Sequence, residues 1–140
     1  MNRGGRRIPL QKLAALVVSL PVGAYAQSEA PISCKNPTST LEINECAMRE
    51  YKARDQELNE AYKALTVSLK PDDTGDTTDY AAVKAQLTAA QKAWVAFRDA
   101  DCNALRKYYD QGTIRTAMHL GCLIERTVQR TKELKAWRAQ

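Results

Sequence analysis

The chain has few of the residues that carry enzyme or metal chemistry. Its 140 residues include one histidine, His119, and four cysteines without a Cys-x-x-Cys spacing, so a zinc site would lack its ordinary ligands. The sequence also contains no nucleophile elbow, no cysteine–histidine pair and no phosphate-binding loop. These absences argue against an enzyme and against a metal site, and no cofactor is expected.

A long hydrophobic run is missing as well. The longest, over residues 13–22, is about half of the ~20 residues that a membrane span needs. It follows four basic residues and no acidic one, and it precedes Ala24-Tyr25-Ala26, which fits a small-x-small cleavage site. Residues 1–26 are therefore predicted to be a signal peptide, of the Sec type rather than the twin-arginine type. Residues 27–140 are expected to form a single domain without a membrane anchor, periplasmic or secreted.

Charge of one sign is not in excess either. The whole chain carries 21 basic and 16 acidic residues, but four of the basic ones lie in the predicted signal peptide. The expected mature chain has 17 basic and 16 acidic residues, a net charge of +1, and the two signs are interspersed as on solvated helix faces. This balance provides no support for nucleic-acid binding.

The four cysteines all fall in the expected mature chain. An even number in a short exported protein predicts two disulfides. Gly112 lies ten residues after Cys102 and ten before Cys122, and residues equidistant from the turn of a helical hairpin face one another. This symmetry favours a Cys102–Cys122 bridge and leaves Cys34–Cys46. All four cysteines would lie at one end of an up-down-up bundle, so the other pairings stay open.

Apolar residues recur every three or four positions along three segments, which predicts helices at about 40–69, 79–109 and 114–138. The expected fold class is all-α, with three long helices in an up-down-up antiparallel bundle stapled by disulfides. Ser39-x-x-Glu42 is a capping-box signature for the first helix, and Gly112 suits the left-handed stop of the second. The predicted apolar stripes include Leu41 in the first helix, Tyr80, Val83, Leu87, Ala90, Trp94 and Phe97 in the second, and Ile114, Ala117, Met118, Leu120, Ile124, Leu134 and Trp137 in the third. Trp94 is predicted to be the centre of the core, as a packing residue rather than a ligand platform.

Two polar residues, Asn44 and Asp55, interrupt the stripe of the first helix. A carboxylate facing a bundle core needs a cation or several hydrogen bonds, so Asp55 should have a partner. Arg98, which is adjacent to Asp99, is the first candidate, and Arg130 is the second. The expected role of this buried polar set is to fix the helix register; the alternative for Asp55 is a general acid or base with a raised pKa.

The segment between the first two helices is acidic. Residues 70–79 contain Asp72, Asp73, Asp76 and Asp79, together with Pro71 and Gly75, which terminate regular structure. Asp76 or one of the threonines is expected to cap the next helix. The spacing of the aspartates does not match an EF-hand, so a solvated loop is favoured over a calcium site.

Four motifs carry a family resemblance. They are Leu41-Glu42-Ile43-Asn44-x-Cys46, Asp55-x-x-Leu58-Asn59-x-x-Tyr62, Gln91-x-x-Trp94-x-x-x-Arg98-Asp99-x-x-Cys102 and Cys122-x-x-x-x-Thr127-x-x-Arg130-x-x-x-Leu134. In these the chain resembles the LprI-like family of exported helical proteins, named after a mycobacterial lysozyme inhibitor. The resemblance implies an exported, non-catalytic binding protein that inhibits lysozyme-type muramidases. Pro31-Ile32-Ser33-Cys34 is a poor match to a lipoprotein cleavage site, so a soluble form is expected, unlike the namesake.

Two sets of residues are candidates for contact with such a partner. The acidic set Asp72, Asp73, Asp76 and Asp79 could attract a cationic lysozyme, and Arg115 or His119 could occupy a cleft that carries paired carboxylates. The two sets are expected at opposite ends of the bundle.

Two other functions fit the same sequence. One is an immunity or adaptor protein for another envelope partner. The other is a hydrolase that uses Asp55, Glu42, Glu45 or Asp99 as acid and base, which is disfavoured because long regular helices leave little room for a cleft.

Overall fold

The computed structural model describes residues 32–71, 73 and 75–137. In this part the chain forms three helices and no strand, which confirms the predicted all-helical class. The helices are α1 (Thr40–Ser68), α2 (Tyr80–Tyr108) and α3 (Arg115–Ala136). None of them combines the length and apolar character needed to cross a bilayer. The predicted signal peptide and Asp72 lie outside the described residues.

The start of α1 is fixed by the predicted capping box. The amide of Glu42 donates to the Ser39 hydroxyl at 3.2 Å, and the amide of Ser39 donates to the Glu42 carboxylate at 3.0 Å. The amide and hydroxyl of Thr38 donate to the same carboxylate at 2.7 and 3.0 Å. These bonds satisfy amides that have no partner within the helix.

Two predictions about the ends of α2 are wrong. The N-cap is Asp79, whose carboxylate accepts from the amide of Ala82 at 3.0 Å, and not Asp76 or a threonine. Gly112 does not adopt a left-handed conformation; among the described residues only Gly75 has a positive φ, of 78°. Instead, α2 ends through tight turns, in which the amide of Gly112 donates to the carbonyl of Tyr109 at 3.0 Å.

The helices pack up, down and up. The Cys102–Cys122 bridge and a bond from Arg130 to Gln91 connect α2 and α3 in antiparallel register. Met48 belongs to the same cluster as Leu120, whereas Leu134 packs with residues from the C-terminal half of α1, so α1 and α3 are parallel. The backbone of α3 approaches both neighbours, while α1 and α2 meet mainly through side chains.

Both predicted disulfides are present. Cys34 bonds to Cys46 and Cys102 to Cys122, so the bundle is stapled at one end, which we call the disulfide end. The connection over residues 69–79 lies at the other end, the loop end.

The core consists of two clusters with a polar layer between them. The cluster towards the loop end is aliphatic and comprises Leu58, Ala61, Leu65, Leu69, Leu87 and Leu134. The cluster towards the disulfide end comprises Cys102, Leu120 and Leu123, with Ala47, Met48, Tyr51 and Cys122 packed against it.

The structure corrects the predicted position of Trp94. Its side chain is half-buried at the edge of the aliphatic cluster, and Phe97, from the same predicted stripe, is 55% exposed. The buried residues of α2 are Leu87, Arg98 and Cys102. Trp94 lies on the same face of α2, seven residues after Leu87 and four before Arg98, and packs against the aliphatic cluster. The interior position beside it is filled by Arg98, which a pattern of apolar residues does not predict.

The interior face of α3 includes two threonines that the predicted apolar stripe did not contain. Thr127 and Thr131 are 0% and 5% exposed, so they belong to the interior. The Thr131 hydroxyl donates to the carbonyl of Thr127 at 2.8 Å, which satisfies its hydrogen-bonding need without a partner outside the helix. Conversely, Leu41 and Ile114, which were placed on apolar stripes, are 73% and 51% exposed.

Candidate functional site

A buried arginine joins all three helices. Arg98 is 5% exposed, and its guanidinium donates to Asp55 of α1 at 3.1 Å and to Thr127 of α3 at 3.3 Å. Its Nε donates to the neighbouring Asp99 at 2.9 Å. Asp55 is therefore paired with the first candidate proposed from the sequence. Thr127 was not foreseen, because a threonine within an apolar stripe carries no signal of a cation nearby.

Aromatic rings complete this polar layer. The guanidinium carbon of Arg98 lies 5.3 Å from the centre of the Trp94 ring and 5.6 Å from that of Tyr51. Arg130 lies 5.9 Å from the Trp94 ring. Such contacts let a cation be partly buried without losing all electrostatic stabilisation. Trp94 thus packs against two cations.

The electrostatics of Arg98 follow from this packing. Burial disfavours its charged form, but hydrogen bonds to Asp99 and Asp55 outweigh burial and raise the pKa of the guanidinium above its ordinary value. Burial also raises the pKa of the Tyr51 phenol, against the opposing effect of the Arg98 charge. The arrangement is that of a buried cation that pairs with two partly exposed carboxylates and a buried hydroxyl.

The remaining predicted polar residues have separate surroundings. Arg130 donates to Gln91 at 3.1 Å and to Glu133 at 3.0 Å, whereas Asp55 pairs with Arg98. The side-chain oxygen of Asn44 is buried and accepts no hydrogen bond from the described residues.

The carboxylates considered for hydrolysis do not form a catalytic pair. Glu42 caps α1, where hydrogen bonds from the backbone of Thr38 and Ser39 lower its pKa. Glu45 pairs with Arg49 at 2.9 Å, while Asp55 and Asp99 share Arg98. Four grooves of about 220 to 730 Å³ run between the described helices, and none of these four is lined by any of those carboxylates.

One cluster contains residue types that bind metal ions, but its sulfur atoms are bonded to each other. Asp101, Cys102 and Cys122 place ligand-type atoms within 4.8 Å of one another. Both sulfurs belong to the Cys102–Cys122 disulfide and are not thiolates, and Asp101 pairs with Arg126 at 2.8 Å. The cluster therefore lacks the deprotonated sulfur that metal binding requires.

At the loop end, the acidic candidates are partly used by the fold. Asp79 caps α2, and Asp76 accepts hydrogen bonds from the amide and hydroxyl of Thr78 at 2.8 and 2.6 Å and from the Tyr80 hydroxyl. The bonds from Thr78 and Tyr80 lower the pKa of Asp76. Asp73 is exposed. Two of the three described aspartates therefore have local structural roles.

At the disulfide end, Arg115 and His119 differ in exposure. Arg115 is exposed and donates to the carboxylate and the carbonyl of Asp110 at 3.3 and 3.4 Å. His119 is half-buried, and burial, helped by the nearby charge of Arg106, lowers its pKa. Arg115 is thus the more accessible of the two candidates.

The same end of the bundle carries further exposed residues that the sequence did not single out. Arg106, Lys107 and Tyr108 form the last turn of α2, and the Tyr108 side chain is 81% exposed. Basic residues in the last turn of a helix are common, because they complement the helix dipole, so they gave no sequence signal of a site.

Comparison with known proteins adds the family. The model of a protein family described as "Lysozyme inhibitor LprI" matches residues 34–134. The chain belongs to the LprI family. The match spans the four cysteines, the whole of α1 and α2, and α3 as far as Leu134. An uncharacterized protein of Rhizobium meliloti (strain 1021) is 33% identical over 124 residues, which cover 86% of this chain and 88% of the relative. No solved structure matches the chain.

Proposed function

We propose that this LprI-family protein is an exported, non-catalytic inhibitor of lysozyme-type muramidases. The family match over residues 34–134 carries the proposal, because it includes both disulfides and the Arg98 layer. These features link the helices of the bundle to one another and to the segment before α1. A rigid surface binds a protein partner at a lower entropic cost than a flexible one.

The side-chain chemistry supports binding rather than catalysis. The carboxylates considered as acid and base are each engaged by a cap or an arginine, and two of them share one cation. A general acid and base need to face one reacting bond across a cleft. The described carboxylates serve the fold instead.

Export supports the same proposal. The predicted signal peptide would deliver the chain to the envelope, where muramidases act and where disulfides persist. Both cysteine pairs are oxidised, which fits a periplasmic or secreted location.

The proposal is tested by titrating the purified protein into lysozyme assays. The full chain, expressed with its own signal and recovered from the periplasm, is expected to inhibit at least one of the chicken-type, goose-type and invertebrate-type enzymes at micromolar concentration. The mass of the recovered protein shows whether cleavage occurs before Gln27. Reduced and alkylated protein is the control. Absence of inhibition of all three enzymes would contradict the proposal.

The surface of α2 favours a second candidate function, that of an adaptor for another envelope protein. Between residues 81 and 104, nine of the 13 exposed residues of α2 are alanines and one, Lys92, is charged. Surface helices usually present charged residues to solvent, so this face resembles a protein contact. If the adaptor function holds, Ala93→Glu should abolish capture of an envelope partner. The wild-type protein should then leave lysozyme activity unchanged.

A further inference from the structure

The proposed function leaves open which surface contacts the muramidase. We propose that the disulfide end enters the active-site cleft, an inference that rests on the proposed function. The contact surface, which we call the cationic tip, combines exposed apolar side chains with basic ones. It consists of Leu41, Arg106, Lys107, Tyr108, Ile114 and Arg115.

The helix register brings the residues of the tip to one end. The Cys102–Cys122 bridge aligns α2 with α3, so Tyr108 and Ile114 flank the turn that follows. Leu41 lies in the first turn of α1, which runs parallel to α3 and starts at the same end. The side chains of Tyr108, Ile114 and Leu41 are 81%, 51% and 73% exposed. Large apolar side chains with this exposure are available for contact with a partner.

The charges of the tip complement a muramidase cleft. Arg106 and Lys107 make no ion pair with any described residue, whereas Arg115 pairs with Asp110. The tip therefore carries three cations and one carboxylate on the α2–α3 turn. Glycosidases of the lysozyme type hold two carboxyl groups across the scissile bond, and a basic surface attracts them. Tyrosine and arginine are also the residues most enriched among those that dominate binding energy.

The shape and rigidity of the tip fit the same partner. A substrate cleft is concave, so the surface that fills it has to be convex. The turn after α2 lies at the end of the bundle and is closed by backbone bonds from Gly112 to Tyr109 at 3.0 Å and from Asp110 to Lys107 at 3.2 Å. The Cys102–Cys122 disulfide joins the two helices that flank the turn, which reduces the ordering cost of binding.

The opposite end lacks this complementarity. Its described aspartates are Asp73, Asp76 and Asp79, and the last two accept hydrogen bonds within the fold. An acidic surface would repel the carboxylates of a cleft, although it could attract the outer surface of a cationic lysozyme. Binding through the cationic tip would therefore compete with substrate for the cleft. Binding through the acidic end would not.

The charge of the tip is tested with a matched pair of double variants on α2. Arg106→Gln with Lys107→Gln removes two cations from the tip, and Lys84→Gln with Lys92→Gln removes two from the same helix away from it. We expect the first variant to raise the inhibitory concentration against the susceptible lysozyme roughly tenfold, and the second to leave it within about twofold. Because basic residues in a last turn also stabilise the helix, thermal unfolding of both variants is measured alongside.

The apolar part of the tip is tested with two exposed aromatic residues of α2. Tyr108→Ala, at the tip, should weaken inhibition about tenfold, whereas Phe97→Ala, in the middle of the helix, should not.

A chitin trisaccharide that occupies the cleft should compete with the wild-type protein for lysozyme, measured by titration calorimetry.

The outcomes separate the inference from the proposed function. If the wild-type protein inhibits no lysozyme, both fall. If it inhibits but the Arg106/Lys107 variant inhibits equally well while folded, or the trisaccharide does not compete, the inference is overturned and the proposed function stands. Selective loss of inhibition in Asp73→Asn would likewise overturn the inference and place the contact at the loop end.

Discussion

The two ends of the bundle are stabilised by different means. Towards the loop end, α1, α2 and α3 bury an aliphatic cluster that includes Leu58 and Leu134, each 2% exposed. Towards the disulfide end, the buried cluster is smaller and contains Cys102, and two disulfides lie beside it. A domain of this size buries only about two thirds of its unfolded surface, so covalent links are most useful where the apolar core is thinnest.

The two ends therefore differ both in what stabilises them and in which side chains they expose. At the disulfide end, Tyr108 and Leu41 are exposed, and two disulfides join the chain segments there. At the loop end, the leucines lie in the core, whereas Val67 and Trp137 are 63% and 38% exposed. The comparison therefore predicts that changes at the two ends affect different properties, and the predictions below test it.

The largest expected effect is the loss of the Cys102–Cys122 bridge. Replacing both residues by alanine should lower the free energy of unfolding by about 3 kcal/mol, because the open chain gains the entropy of a 20-residue loop. Alanine avoids placing a hydroxyl at position 102, which is fully buried. Urea unfolding followed by circular dichroism measures the change.

The second bridge provides the matched control. Cys34 is exposed and precedes α1, so replacement of Cys34 and Cys46 by alanine should release the leader and cost less than loss of the first bridge. Equal losses for the two pairs would contradict the view that the α2–α3 bridge stabilises the bundle itself.

An intermediate effect is expected in the polar layer between the two clusters. Arg98→Ala removes hydrogen bonds to Asp55, Asp99 and Thr127 and should lower the free energy of unfolding by about 2 kcal/mol. The two carboxylates are partly exposed, so water limits the penalty.

The control is a double-mutant cycle with Asp55→Ala. Coupling between the two changes of roughly 1 kcal/mol would show that the Arg98–Asp55 pair links α1 to α2. Additive effects would instead mean that Arg98 acts mainly by packing against Trp94.

The smallest expected effect concerns pH and the start of α1. The folded pKa of Glu42 lies below its ordinary value of 4.5, so its contribution to stability is complete above that value and is lost as the pH falls through the folded pKa. Glu42→Gln should therefore flatten the pH dependence of unfolding between about pH 3 and 5.

Removing the Cys34–Cys46 bridge makes the test of Glu42 more sensitive. Because the bridge also holds the start of α1, the Glu42→Gln effect should be larger when Cys34 and Cys46 are both alanine. An unchanged pH dependence in both backgrounds would show that the capping box does not stabilise the folded state.

The helices could be predicted closely from the sequence because they are long and their ends carry local signals. The predicted first helix at 40–69 became Thr40–Ser68, with the predicted capping box, and the others agree to within two residues. The face of α2 that packs on the core was predicted in part, because Tyr80, Val83, Leu87 and Trp94 of the predicted stripe lie in or against the aliphatic cluster. The depth of Trp94 could not be predicted, because the interior position beside it is occupied by Arg98.

The candidate contact surface was less predictable for a different reason. Arg115 was proposed from its place near the α3 start, but Arg106, Lys107 and Tyr108 became relevant only when the fold brought them beside it. Exposure is a property of the assembled bundle, and a basic last turn has the same sequence whether or not a partner binds there. The Arg98–Asp55 pair was foreseen because a carboxylate within an apolar stripe demands a cation.

The placement of four cysteine sulfurs at one end has a consequence for biogenesis. Four cysteines permit three pairings. Cys34 and Cys46 are 12 residues apart and can meet through a local contact, whereas Cys102 reaches Cys122 only when the α2–α3 hairpin forms. Correct oxidation of the second pair therefore reports that the hairpin has assembled, and a thiol isomerase would rescue chains that paired too early.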